Sequence, residues 1–187
     1  MIKFILHGGN FGDENSDNTG FIKEITAGDK KNINFLINCF ACDDNKVDDK
    51  YARHTIKFKH FGKGKKINFK LAEVGIFSEQ VKWADVIFLE GGASTDRLVD
   101  KLSLTKDLEM LFEGKVVGGS SAGVNCLAKY YYGNEIQKIE AGLGILNIKT
   151  FCHYEAKDKE VIEKLAAYKE KLPLLILPNY KWVVMYK

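Results

Sequence analysis

Three apolar runs in this chain end the same way. "IKFILHGGN" (2–10), "DVIFLEGGAST" (85–95) and "KVVGGSSAG" (115–123) each pass from β-branched and aromatic residues into paired glycines. Short apolar runs bounded by turn residues read as buried strands. Further strands are expected at "INFLINCF" (33–40), "KINFKLAEV" (66–74), "LPLLILPN" (172–179) and "KWVVMYK" (181–187). Helical patterns lie between them at 18–28, 47–62, 77–84, 94–114 (broken near Ser103), 121–132 and 161–172. Strands alternating with helices predict an α/β fold, a three-layer sandwich around a mostly parallel sheet. Such sheets carry their sites at the carboxyl ends of the strands. Glycine-rich turns at that kind of place in all three runs favour one shared site.

At 187 residues the chain fits one domain, 1–187. With 28 basic and 25 acidic residues the net charge is +3, too balanced to argue for nucleic acid. "KFKHFGKGKK" (57–66) is the one basic concentration and reads as a solvated segment. No apolar run approaches membrane-spanning length, and "MIKFILHGG" is too short for a secretory signal. Cys39, Cys42, Cys126 and Cys152 lie in apolar surroundings, which suits a reduced, cytoplasmic protein. Cys39 and Cys42 have C-x-x-C spacing without a second ligand pair, so two buried thiols are expected rather than a metal site or a redox site.

The corner "GGSSAG" carries the chemistry. A serine becomes a nucleophile when a base takes its proton and the chain presents its oxygen. The strand-to-helix elbow G-x-S-x-G does the second, with small residues two before and two after so that strand and helix can approach. Gly119-Ser120-Ser121-Ala122-Gly123 fits with Ser121 at the centre, at the start of a helix whose free N–H groups favour negative charge. Among four histidines, His7 ends the first strand, and His54 and His60 lie in a charged amphipathic stretch read as surface. His153, in "TFCHYE", follows an apolar segment as a residue at a strand end would, and is the leading general base.

A calcium-loop pattern competes for 13–24. Asp13, Asn15, Asp17, Thr19 and Glu24 occupy its ligand positions, with Asn18 where the turn glycine belongs. A strand leads into this stretch, so a polar loop capping the following helix is the better reading.

"ADVIFLEGGASTDRLVDKL", "VGGSSAGVNCL" and "GLGILNIKTFCHYE" together resemble the peptidase E family of serine peptidases, which includes aspartyl dipeptidases and cyanophycinases. The resemblance implies a fold like that of class I glutamine amidotransferases, and hydrolysis of a small peptide or isopeptide bond without metal or organic cofactor. It assigns the nucleophile to Ser121 and the base to His153. The family's acidic third group would be Glu135 or Glu140; Glu135 is preferred, being closer to the family position and in a loop that can fold back over the sheet edge. Glu155 and Asp158 suit the role less, one pointing along the surface and the other beginning a helix. The oxyanion hole would pair the Ala122 N–H with that of Gly92 or Ala93. Ser94 and Thr95 would face substrate; Arg97 could meet a substrate carboxylate, though a surface salt bridge is the better reading for it. The family's G-G-G-N-T stands here as Gly91-Gly92-Ala93-Ser94-Thr95, and the chain ends at "KWVVMYK", where family members continue with further strands. The expected partner is a small peptide, with a homodimer as the assembly to test. A binding or regulatory protein that kept the fold without catalysis is the alternative.

Overall fold

The computed structural model describes residues 1–62 and 64–187. Among the described residues, ten strands form two sheets. The larger contains β1 (Lys3–His7), β2 (Asn32–Asn38), β3 (Lys66–Leu71), β4 (Val86–Leu89), β5 (Val116–Ser120) and β10 (Trp182–Tyr186), in the order β10-β1-β5-β4-β2-β3. All its pairings are parallel except β1 with β10. The smaller contains β6 (Ala128–Gly133), β7 (Lys138–Ala141), β8 (Leu146–Cys152) and β9 (Leu174–Leu177), in the order β7-β6-β8-β9. There β6–β8 and β8–β9 are parallel and β6–β7 antiparallel.

The large sheet is apolar on both faces, as strands covered by helices must be. On one side Ile5, Phe35, Ile37 and Phe88 pack against Phe21, Ile22 and Ile25 of α1 (Ser16–Ile25) and Phe58 of α2 (Val47–Phe61). On the other, Phe4, Leu6, Leu36, Ile87 and Val117 meet α3 (Phe77–Trp83), α4 (Thr95–Ser103) and α5 (Leu108–Leu111) through Phe77, Val81, Leu98, Leu102 and Leu108. The result is the expected three-layer, parallel-dominated α/β arrangement.

Two expectations change. The helix expected over 121–132 is one turn, α6 (Ala122–Asn125), followed by β6. Tyr130, Tyr131 and Tyr132 favour a strand, and pairing of Tyr130 and Tyr131 with Lys149 and Thr150 satisfies their backbone. The helix expected over 161–172 is α7 (Lys159–Ala167). Buried Lys149 donates from Nζ to the Ala166 and Tyr168 carbonyls, at 2.7 and 2.6 Å, and so terminates it.

Candidate active site

The end of β5 turns into α6 at Ser121, whose φ of 50° and ψ of −110° lie where a residue with a Cβ is rarely found. Such a conformation costs on the order of 1–3 kcal/mol and persists only where its surroundings hold it. Here the Ser121 N–H donates to the His7 carbonyl (2.9 Å), while its own carbonyl accepts from the Val124 and Asn125 N–H groups. The flanking glycines are obligatory. A Cβ on Gly119 would lie 2.7 Å from the Gly123 carbonyl oxygen, and one on Gly123 would lie 1.9 Å from that of Leu89. Because α6 is one turn long, stabilisation of negative charge here rests on local N–H groups rather than on a helix dipole.

His153 follows β8 with a φ of 58°, its N–H donating to the Gly8 carbonyl (2.9 Å). Nε2 lies 2.8 Å from Ser121 Oγ, and Nδ1 lies 2.6 Å from Asn179 Oδ1. Gly9, at φ 132°, lies so close to the ring that an added Cβ would sit 2.0 Å from Cε1. An amide oxygen can only accept, so Nδ1 carries the proton and Nε2 is free to accept from the serine hydroxyl.

Asn179 therefore occupies the place expected of Glu135. Register explains it: β8 and β9 pair with Cys152 opposite Leu177, so the residues just beyond each strand, His153 and Pro178-Asn179, emerge side by side. Glu135 lies in the turn between β6 and β7, where Asn134 Nδ2 donates to the Cys152 carbonyl (2.9 Å). Its side chain is exposed and lines a cavity that Ser121 and His153 also line, while both ring nitrogens of His153 are engaged elsewhere. Glu140 is in β7, opposite Tyr131. Glu155 and Asp158 close a capping box at the entry to α7. Asn179 lies outside the segment between serine and histidine, but "LPN" puts a polar side chain at the end of an apolar strand, as "FCH" does.

The loop after β4 supplies the facing wall. Gly91 and Gly92 line a cavity of about 300 Å³ together with Ser120, Ser121, His153 and Glu135. A Cβ on Gly92 would lie 2.2 Å from the Ala41 carbonyl oxygen, so glycine is required. Ser94 is spent as the N-cap of α4, accepting from the Arg97 N–H (3.1 Å), and Thr95 is that helix's first residue. Neither is among the cavity's lining residues. Arg97 Nη1 donates to the Cys42 carbonyl at 2.8 Å, which makes it a brace for the loop.

A buried charged cluster backs this wall. Glu90, 7% exposed, lies 2.9 Å from Lys50 Nζ through Oε1, and Lys50 also donates to the Gly91 carbonyl (2.7 Å). His54, expected on the surface, is 5% exposed, with Nε2 2.9 Å from Glu90 Oε2 though out of hydrogen-bond alignment. Burial alone would raise the Glu90 pKa, but His54 and Lys50 hold it below the ordinary value. His7 is also buried: Nε2 pairs with Asn18 Oδ1 (2.8 Å) and Nδ1 accepts from the Gly9 N–H (3.2 Å). Burial lowers its pKa to about 4 despite the Asn18 bond, so it is neutral. Asn18 in turn donates to the Asn10 and Asp13 carbonyls, shaping the loop over the site.

The calcium-loop side chains are otherwise engaged. Asn15 caps α1 by accepting from the Asp17 N–H, Asp17 pairs with Lys181, and Glu24 pairs with Lys3. A larger cavity of about 750 Å³ opens between α1 and α2 and shares Gly12, Asp13, Arg53 and His54 with the serine's cavity. Ser121 and His153 line the smaller one. Among the described residues, no helix is long and apolar enough to cross a membrane.

Comparison with known proteins gives a family and a fold. The model of the family described as Peptidase family S51 matches residues 4–187. A solved peptidase from an acI-B1 Actinobacterium superposes with a TM-score of 0.70 at 21% identity, covering 99% of this chain and 84% of that one. A candidate peptidase E protein from Listeria monocytogenes EGD-e also gives 0.70, at 16% identity, covering 99% of this chain and 94% of that one. No curated protein sequence matches the chain.

Proposed function

The chain belongs to peptidase family S51 and is a serine peptidase, and we propose that it hydrolyses a small peptide or isopeptide amide through Ser121, His153 and Asn179. One observation carries this reading: Ser121 Oγ sits 2.8 Å from an imidazole nitrogen whose ring is oriented from its far side by Asn179. His153 Nε2 takes the hydroxyl proton as Oγ attacks the substrate carbonyl. The oxyanion is received by the N–H groups of Ala122 and of Gly92 or Ala93, of which Gly92 lines the cavity. The imidazolium, with Nδ1–H on Asn179 Oδ1, passes its proton to the leaving amine. A water activated by the same Nε2 then releases the acyl group from Ser121.

The cavity's size favours a short substrate. Arg53 of α2 and Glu135 of the β6–β7 turn, both lining the cavity, suit the two charges of a small peptide. Four free, buried cysteines fit a reducing compartment such as the cytoplasm. A fluorophosphonate probe tests the mechanism. Labelling of the wild type that disappears in Ser121→Ala supports it. Folded wild type that takes no label favours a binding protein on the same fold.

A further inference from the structure

The loop that lines the serine's cavity is seated on a second chemical group. Residues 39–42 form a turn closed by the Cys42 N–H donating to the Cys39 carbonyl (2.9 Å). Four contacts fix the loop after β4 to this turn. Cys42 Sγ reaches the Gly91 carbonyl at 3.4 Å, and the Ser94 N–H donates to the Ala41 carbonyl at 3.3 Å. Arg97 Nη1 holds the Cys42 carbonyl, and Gly92 packs on Ala41 with no room for a Cβ. Lys50 Nζ shares the Gly91 carbonyl with Cys42 Sγ, which places a cation beside that sulfur.

We propose that Cys39 and Cys42 are an oxidisable dithiol whose closure to a disulfide displaces the Gly91–Gly92 loop and lowers the activity of Ser121. A hydrogen-bonded turn brings its first and fourth Cα atoms within about 7 Å, against the roughly 4.4–6.8 Å a disulfide spans. Closure therefore needs only a local adjustment. Cys39 lines a separate cavity of about 310 Å³, through which a small oxidant can approach the pair. The Cys39 thiol and Lys50 favour a thiolate at Cys42, whose pKa is lowered, while that of Cys39 is raised. With hydrogen peroxide as oxidant, the Cys42 thiolate attacks one peroxide oxygen, the O–O bond breaks and hydroxide leaves. The Cys42 sulfenic acid is then attacked by the Cys39 sulfur, the S–O bond breaks, and a second hydroxide leaves. Each hydroxide ends as water by taking up one of the two thiol protons. The dithiol loses two electrons and the peroxide gains them. Once in a disulfide, Cys42 Sγ is drawn toward Cys39 and away from the Gly91 carbonyl and Lys50, and the turn beneath Gly92 must shift.

The disulfide stands by itself; its effect on catalysis rests on the proposed serine mechanism, and two separate readouts keep them apart. Reduced protein is exposed to hydrogen peroxide, denatured, alkylated and digested, and in parallel labelled with a fluorophosphonate. The expected result is a Cys39–Cys42 disulfide, Cys126 and Cys152 still alkylated, and fluorophosphonate labelling that falls at least severalfold and returns with dithiothreitol. Cys39→Ser should keep its labelling after peroxide. Alkylation of all four cysteines after peroxide, or sulfinic acid at Cys42 without a disulfide, overturns the proposal. A disulfide that forms while labelling is unchanged overturns its control of Ser121. Reduced protein that never labels counts against the serine mechanism and leaves the alkylation result to decide the dithiol.

Discussion

His153 Nδ1 and Asn179 Oδ1 lie 2.6 Å apart, so a neutral amide, not a carboxylate, faces the far side of the imidazole. The amide fixes the ring's tautomer and orientation but brings no negative charge to the imidazolium that the proposed acylation would form. Asn179→Ala should lower kcat by about 10- to 100-fold through a loosened ring. Asn179→Asp should keep the hydrogen bond and add the charge. The acid limb of its pH–rate profile should move up by about one pH unit or more, the usual effect of a neighbouring opposite charge. An unmoved limb in a folded, active Asp variant would remove Asn179 from the ring's far side.

Glu135 reaches the cavity without touching His153, which separates two roles that a sequence argument merges. Glu135→Gln should raise KM for a peptide with a free amino group and leave the pH dependence of kcat in place. If kcat falls by more than about 100-fold at unchanged KM, the carboxylate belongs to the proton-transfer machinery after all.

Gly92 has the Ala41 carbonyl where a side chain would begin, at 2.2 Å from an ideal Cβ. Gly92→Ala should therefore push the loop off its seat, at a cost of about 1–3 kcal/mol in unfolding free energy. Serine labelling should drop with it. Equilibrium denaturation together with fluorophosphonate labelling reads both effects. Unchanged stability would mean that the loop yields freely.

Stability should depend on pH through His7, whose pKa burial lowers from 6.5 to about 4. Between those values the unfolded chain binds a proton that the folded chain refuses. Stability is thus full above the unfolded value and is lost as pH falls toward the folded one, by on the order of 3 kcal/mol for this group. His7→Gln, which cannot titrate, should flatten that part of the slope in urea denaturation series run across the interval. An unchanged slope would show that His7 does not carry the acid sensitivity in this interval.

What the residues determined by themselves was the local geometry that only a few of them permit. Gly119 and Gly123 around Ser121 encode the elbow, because any Cβ at either place strikes a carbonyl oxygen. Apolar runs ending in polar or glycine residues encode strand ends, which sufficed to locate Ser121, His153 and the Gly91–Gly92 loop. The tertiary structure decided which strand ends become neighbours. Asn179 meets His153 only because β9 joins β8 in a second sheet at a particular register, and no local pattern around residue 179 specifies that pairing. Burial also reversed the reading of His54, which looks like a surface residue on a charged helix. It enters the core because Glu90, at the end of a distant strand, waits there with Lys50. Conformational constraints act between adjacent residues and can be read along the chain. Proton positions and charge pairs arise between residues far apart in sequence, and exist only once the chain has folded.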